Sequence, residues 1–348
     1  MPASARARNG PAAAGDGVSA DPRGDDTLAP STTVSLVLGS GGARGYAHIG
    51  VIEELERQGL AIGAIAGSSM GALVGGIHAA GQLAVFSAWA RALTRLDVWR
   101  LVDLTVSGGG FIKGERIIQV LRELVGEARI EQLPVKYTAV ATDLDASREI
   151  WFTKGSLFDA IRASIAIPTI FRPVRYRGHT LVDGGLLNPV PVSVTLGDLT
   201  DFTIAVDINA PDGPRGPEDA RRVDIPPPAG AEPDRSAPAE PGSGRLVHYR
   251  QRIERFLDEL WPDAANAPGP ACPAAEPGVL DLFTRSLDTV QATLTRFKLA
   301  AQPPDLLIEL PRSSCTFYEF DQAARLIELG RERARIALDA WRRGGRQA

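Results

Sequence analysis

The chain has 348 residues, 44% of them hydrophobic and 23% charged, so it is long enough for one large α/β domain or two small ones. A formal net charge of -4 argues against a dedicated nucleic-acid binder, and two cysteines, Cys272 and Cys315, rule out a disulfide scaffold or a cysteine-rich zinc site. No apolar run is long enough to span a bilayer, and the first thirty residues lack the apolar region of a signal peptide, which predicts a cytoplasmic protein compatible with peripheral membrane contact.

Residues 1–30 are small, polar and rich in proline and glycine, and are expected to be disordered. From residue 31 the character changes. A buried strand (Val34–Leu38) leads into the glycine loop "GSGGARG" (39–45) and a helix whose Ile49, Ile52 and Leu55 share one face. Gly59 marks its stop. "AIGAIAG" reads as a second buried strand, feeding the small-residue helix "SMGALVGGIHAAG". Further strands are predicted at "VKYTAVATDL", "REIWFT" and "FTIAVDIN", with a helix "LFDAIRASIA" stopped by Pro168. Residues 210–245 carry almost no large apolar residue and read as a disordered insert. An amphipathic helical region, 246–300, follows. In it Leu246, Ile253, Phe256, Leu257 and Leu260 share a face, and Val279, Phe283, Leu287, Val290, Leu294 and Phe297 recur at near-heptad spacing. "PDLLIELP" looks like a strand returning to the sheet, and a final helix spans roughly 320–341, with 342–348 as a tail. Alternating strands and helices predict an α/β fold, a mostly parallel central sheet with helices on both faces. The insert interrupts a single 31–341 domain rather than dividing two.

The stretch "AGSSMGALVGG" places Ser69 in a G-x-S-x-G frame between strand and helix, the usual presentation of an acyl-transfer nucleophile. The blander reading is a helix cap at Ser68 or Ser69. The loop at 39–45 can hold an anion on its backbone N–H groups. A dinucleotide phosphate fits poorly, because Gly39, Gly41 and Gly45 have the wrong spacing and the second strand ends on Gly67 rather than an acid. A tetrahedral oxyanion fits better.

Such a serine needs a base, and histidine is the usual one. Of the four histidines, His48 and His78 fall within helices, His179 precedes Asp183 by four residues, and His248 borders the insert. None is well placed. Asp183 ends an apolar run on Asp-Gly-Gly, although Asp-Gly is also a hairpin turn signal and Asp143 and Asp207 are rival strand-end carboxylates. A serine–carboxylate pair is chemically workable when the carboxylate is close and partly desolvated.

At this point the residues resemble a known family, the bacterial patatin-like phospholipases related to neuropathy target esterase. "GSGGARG", "GSSMG" and "DGG" at 183–185 match its motifs in order, and "TDLDASREIWFTKGSLFDAIRASIAIPTIFRPV" is similar to its middle segment. The likeness covers residues 33–210 strongly and 279–341 more loosely. It implies a three-layer patatin-like sandwich and a Ser–Asp dyad without histidine. By motif position Ser69 is then the nucleophile, Asp183 the base, and Gly41, Gly42, Ala43 and Arg44 the oxyanion loop. Ser40 stands where the family's loop usually begins with glycine. No metal and no organic cofactor is implied. The implied substrate is a phospholipid or lysophospholipid, and Arg44 either assists the loop, holds a lipid headgroup or pairs with a carboxylate. The alternative is a non-enzymatic regulator or scaffold that keeps the fold. The sequence leaves the oligomeric state open.

Overall fold

Eight strands form one sheet in the computed structural model, which describes residues 32–101, 113–212 and 279–344. The expectations for residues 1–30, for most of the 210–245 insert and for 246–278, with His248 and Cys272, lie outside the described residues. Five strands run parallel: β1 (Thr33–Leu38), β2 (Ala61–Ser68), β3 (Lys136–Asp143), β7 (Phe202–Ala210) and β8 (Leu306–Pro311), in the order β3-β2-β1-β7-β8. β4 (Arg148–Phe152) and β6 (His179–Asp183) pair antiparallel with β3, and β5 (Val174–Tyr176) pairs antiparallel with β6.

The helices are α1 (Ala47–Arg57), α2 (Met70–Ala79), α3 (Leu83–Ala92), α4 (Arg95–Leu101), α5 (Glu115–Val125), α6 (Leu157–Ser164), α7 (Val279–Ala301) and α8 (Ala323–Gly344). Side chains alternate across a strand, and the alternation here feeds two cores. Leu36 and Leu38 of β1 join Ile204, Val206 and Ile208 of β7 in the main core, with Ile49 and Ile52 of α1, Leu73 and Ile77 of α2, and Leu326 and Ile327 of α8. Val37 and Ala205 face the other way and pack with Val190, Val192 and Leu299 of α7. A parallel strand buried on both faces needs apolar residues at nearly every position, which is why β1 reads as an unbroken run. The architecture is the expected α/β one: a mostly parallel central sheet flanked by helices.

Two helix boundaries differ from the sequence reading. α6 opens on Ser156, whose hydroxyl accepts the Asp159 N–H at 3.3 Å, but it ends at Ser164, short of the expected end at Ala166. Residues before proline are pushed out of helical geometry, and here the Ala166 carbonyl turns to accept the Asp183 N–H at 3.0 Å. The final helix begins at Ala323, after a 3-10 turn at Phe320–Gln322, and continues to Gly344. The helices α3, α4 and α5 and the strand β5 had no counterpart in the sequence reading.

The register of β3 fixes the geometry of everything that follows. Its residues Ala139 and Val140 pair with Gly67 and Ser68 of β2 on one side and with Phe152 and Trp151 of β4 on the other. Its residues Ala141 to Asp143 pair with Ile150 to Arg148 of β4 and with Asp183 to Leu181 of β6. A strand has two edges and β4 runs along one of them, so β2 and β6 share the other. β2 arrives from one end and stops opposite Val140; β6 arrives from the opposite end and stops opposite Ala141. Their termini meet.

Candidate active site

That meeting places Ser69, the residue after β2, against Asp183, the last residue of β6. The Ser69 hydroxyl donates to Asp183 Oδ2 at 2.5 Å, and the Gly185 N–H donates to Asp183 Oδ1 at 2.7 Å. Ser69 has φ 55° and ψ -124°, a backbone conformation that costs of order 1–3 kcal/mol in a non-glycine residue. The turn is held from behind: the Ser69 N–H donates to Ser164 Oγ at 2.9 Å, and Ser164 Oγ donates to the Val140 carbonyl at 2.6 Å. α2 starts at once, so its N-terminal dipole points at the serine oxygen.

Two glycines make the close approach sterically feasible. A Cβ on Gly71 would lie 2.1 Å from the Leu38 carbonyl oxygen, and one on Gly184 would lie 2.1 Å from that of Val140. Either contact would push the elbow or the Asp183 loop out of line.

Ser69 and Asp183 are both buried, each 2% exposed. Burial raises the Asp183 pKa from 3.8 to about 7, and the bonds from Ser69 and Gly185 offset only part of that rise. The carboxyl therefore titrates near neutrality, where a general base works best.

The glycine loop leaves the end of β1 beside this pair. Its frame is tied at several points: Gly39 N–H to the Val206 carbonyl, Ser40 N–H to the Pro189 carbonyl, and the Ser40 carbonyl to Asn209 Nδ2 at 2.8 Å. His48 Nε2 lies 2.8 Å from the Gly39 carbonyl. Only a donor can meet a carbonyl, so the proton sits on Nε2. Burial, partly opposed by that bond, lowers the His48 pKa to about 4 and keeps the ring neutral.

The four loop residues differ in what they leave open. The Ala43 N–H is already bonded to the Phe317 carbonyl at 3.0 Å. The Arg44 guanidinium binds both oxygens of Asp288 on α7, at 2.9 and 3.0 Å, and the carbonyls of Arg312 and Cys315. Of the roles weighed for Arg44, the geometry is that of the carboxylate partner. Among the described residues the N–H groups of Gly41 and Gly42 have no acceptor, and they are the donors left for an incoming oxygen.

The rival bases are engaged elsewhere. Asp143 Oδ1 accepts the Asp145 and Ala146 N–H groups, and its Oδ2 faces Arg148 Nε and His179 Nδ1 at 3.3 and 3.1 Å. Asp143, Asp145 and His179 lie close enough together to suggest a metal, but Arg148 already supplies the cation there and Asp145 accepts the Thr180 N–H. Asp207 accepts the Asn209 N–H and so braces the residue that holds Ser40. Among the described residues no histidine bonds Ser69 or Asp183; His78 lies 3.8 Å from Glu56 and His179 beside Asp143.

Sequence reasoning missed Ser164, Asn209, Asp288 and Gln291, the last of which accepts the Ser40 hydroxyl through Oε1 at 3.1 Å. Only the Asp207-x-Asn209 pair at a strand end carried a local signal, the spacing of a side chain capping its own turn.

Comparison with known proteins places the chain among relatives. The family model for patatin-like phospholipases matches residues 36–196. An uncharacterized NTE family protein of Mycobacterium tuberculosis is 42% identical over 339 residues, covering 89% of this chain and 92% of that protein. A lysophospholipase of Candida albicans is 34% identical over 184 residues, 51% of this chain but only 13% of its own length. Among solved structures, VipD of Legionella pneumophila covers 90% of this chain and 67% of its own, at 15% identity and a TM-score of 0.48.

Proposed function

This chain belongs to the NTE family of patatin-like proteins, and from that membership we propose that it is a serine lipid acyl hydrolase acting on phospholipids or lysophospholipids. The observation that carries the reading is the 2.5 Å bond from the Ser69 hydroxyl to an Asp183 carboxyl that titrates near neutrality. Ser69 Oγ attacks the acyl carbonyl as its proton passes to Asp183 Oδ2. The carbonyl oxygen gains the negative charge and is met by the N–H groups of Gly41 and Gly42 and by the N-terminus of α2. Collapse breaks the ester bond, and the departing alkoxide takes the proton from Asp183. Water then gives a proton to the same carboxylate and attacks the acyl-serine. The Ser69 oxygen leaves, recovers that proton, and the fatty acid is released.

The Gly185 N–H holds Asp183 Oδ1 and so aims Oδ2 at the serine throughout. An apolar cluster of Ile167, Ile170, Phe171, Phe317 and Leu287 packs beside the dyad. It adjoins both halves of the site, since the Phe317 carbonyl bonds Ala43 and Ile167 follows the residue that bonds Asp183.

A second reading, a non-enzymatic scaffold, draws on the burial of both side chains. Against it stand the strained Ser69 backbone and the uncompensated Asp183 charge, which lower stability and serve no purpose in a scaffold. Labelling by a fluorophosphonate probe separates the two. The hydrolase reading expects covalent labelling and release of fatty acid from long-chain acyl esters, both lost by at least about 10³-fold in Ser69→Ala. An unlabelled, inactive wild type would leave the scaffold.

A further inference from the structure

Three parallel strands deliver the parts of the site side by side. β1 lies between β2 and β7, and its last residue, Leu38, stands opposite Gly67 of β2 and Val206 of β7. Beyond that level β2 leads to Ser69, β1 to the glycine loop and β7 to Asn209. The loop therefore has the nucleophile on one flank and Asn209 on the other.

Asn209 is 2% exposed and meets the loop at two places. Its Nδ2 donates to the Ser40 carbonyl at 2.8 Å. A Cβ on Gly41 would lie 2.9 Å from its Oδ1 and 2.8 Å from Ile208 Cδ1, so the Gly41 backbone packs directly against β7. The Asn209 N–H donates to Asp207 Oδ1 at 2.9 Å, which fixes the base of the side chain.

Peptide planarity turns this contact into a direction. The Ser40 carbonyl and the Gly41 N–H belong to one peptide unit, and in a trans unit they point opposite ways. Holding the carbonyl toward β7 turns the N–H toward β2, where Ser69 stands. The preceding unit is tied at both ends, the Gly39 carbonyl by His48 and the Ser40 N–H by the Pro189 carbonyl. In the Ser40–Gly41 unit only the carbonyl is held among the described residues, and the N–H is left for an incoming oxygen.

The chemistry of the amide points the same way. Flipping it would set Oδ1 against the Ser40 carbonyl, acceptor to acceptor, so Nδ2 must face the loop. In that orientation Oδ1 is buried and has no hydrogen-bond partner among the described residues. A buried acceptor without a donor lowers stability. Packing alone does not call for an amide here, whereas a donor aimed at Ser40 does.

We propose that Asn209 is a positioning residue for the reaction, which aims the Gly41 N–H at the oxyanion by holding the Ser40 carbonyl. The assignment rests on the hydrolase reading, which supplies that oxyanion. Asn209 is sealed from substrate and acts through Gly41.

The test compares wild type with Asn209→Ala and Asn209→Asp on a soluble ester and on its thiono counterpart, in which sulfur replaces the carbonyl oxygen. Aspartate keeps the volume and lacks the N–H donor. Sulfur accepts hydrogen bonds weakly, so an aimed N–H favours the oxo ester. In both variants kcat for the oxo ester should fall about 10- to 100-fold, with KM within about threefold. The preference for the oxo ester over the thiono ester should shrink by a similar factor. The acid limb set by Asp183 should keep its inflection in Asn209→Ala, because the base is untouched. An unchanged kcat, a rise in KM alone, or equal losses on the two esters would overturn the assignment. Failure of both variants to fold would mark Asn209 as a residue of the fold and overturn it too. A wild type that hydrolyses neither ester sinks the hydrolase reading, whereas an active wild type matched by Asn209→Ala sinks this assignment alone.

Discussion

Asp143 and Asp183 sit at opposite ends of the β3–β6 ladder, two register positions apart, and their carboxyls titrate in opposite directions. Burial pushes both pKa values up. At Asp143 that push is outweighed by the Ala146 N–H, Arg148, the charge of His179 and the Asp145 N–H, so the group ionises below its ordinary range. Asp183 has no cation beside it among the described residues, only a serine hydroxyl and one N–H, and its pKa rises to about 7. A carboxylate with matched partners fixes a hairpin, whereas one left without a counter-charge is suited to take up a proton near neutrality. Neither exposure nor position at a strand end distinguishes the two; the surrounding donors do.

The difference can be broken most visibly with pH. The proposed reaction needs ionised Asp183, so kcat/KM for a soluble ester should rise with pH through about 7 and fall toward tenfold per pH unit on the acid side. A profile flat from pH 5 to 8, or one whose inflection disappears in a histidine variant, would move the base elsewhere. Next in size is the brace behind the nucleophile. Ser164→Ala leaves the Ser69 N–H without its buried acceptor and should cost about tenfold in kcat, with fluorophosphonate labelling slowed but retained. An unchanged kcat would show that the strained turn holds without Ser164. The smallest catalytic effect belongs to the other carboxylate. Asp143→Asn should lower Tm, because the turn and Arg148 lose their charged partner, yet kcat of the folded protein should stay within about threefold. A kcat loss equal to that of Asp183→Asn would erase the distinction.

Much of the scaffold was legible in the sequence. β1, β2, β3 and β7 are apolar runs of strand length, and the Gly-rich frames between them mark the turns where function collects. The three motifs around Ser69, Asp183 and Gly41 were legible as a set. What the sequence could not supply was adjacency. That β2 and β6 meet on one edge of β3 depends on non-local pairings, Ala64 with Lys136 on one side of the junction and Ala141 with Asp183 on the other. The fate of Arg44 was equally hidden, because its partner Asp288 lies 244 positions away on a helix whose pattern announced only amphipathicity. Ala43 looked like one more loop donor until the Phe317 carbonyl took its N–H. α6 ends at Ser164, two residues before the expected Ala166, and the Ala166 carbonyl beyond it accepts the Asp183 N–H, a tertiary contact no local pattern announced.

In the proposed reaction Asp183 bears a charge without a counter-ion in the service of proton transfer, and Asp183→Asn tests both the cost and the use of that charge. A carboxyl with a pKa of 3.8 in the unfolded chain and about 7 in the folded one stabilises the fold fully below pH 4. That contribution is lost as pH rises to about 7, a difference of about 4 kcal/mol. Asparagine keeps the shape and never bears the charge. The variant should lose at least about 10²-fold in kcat, and it should melt higher than wild type at pH 8 while the gap closes toward pH 4. A variant that keeps its activity, or that melts lower than wild type at pH 8, would contradict the account.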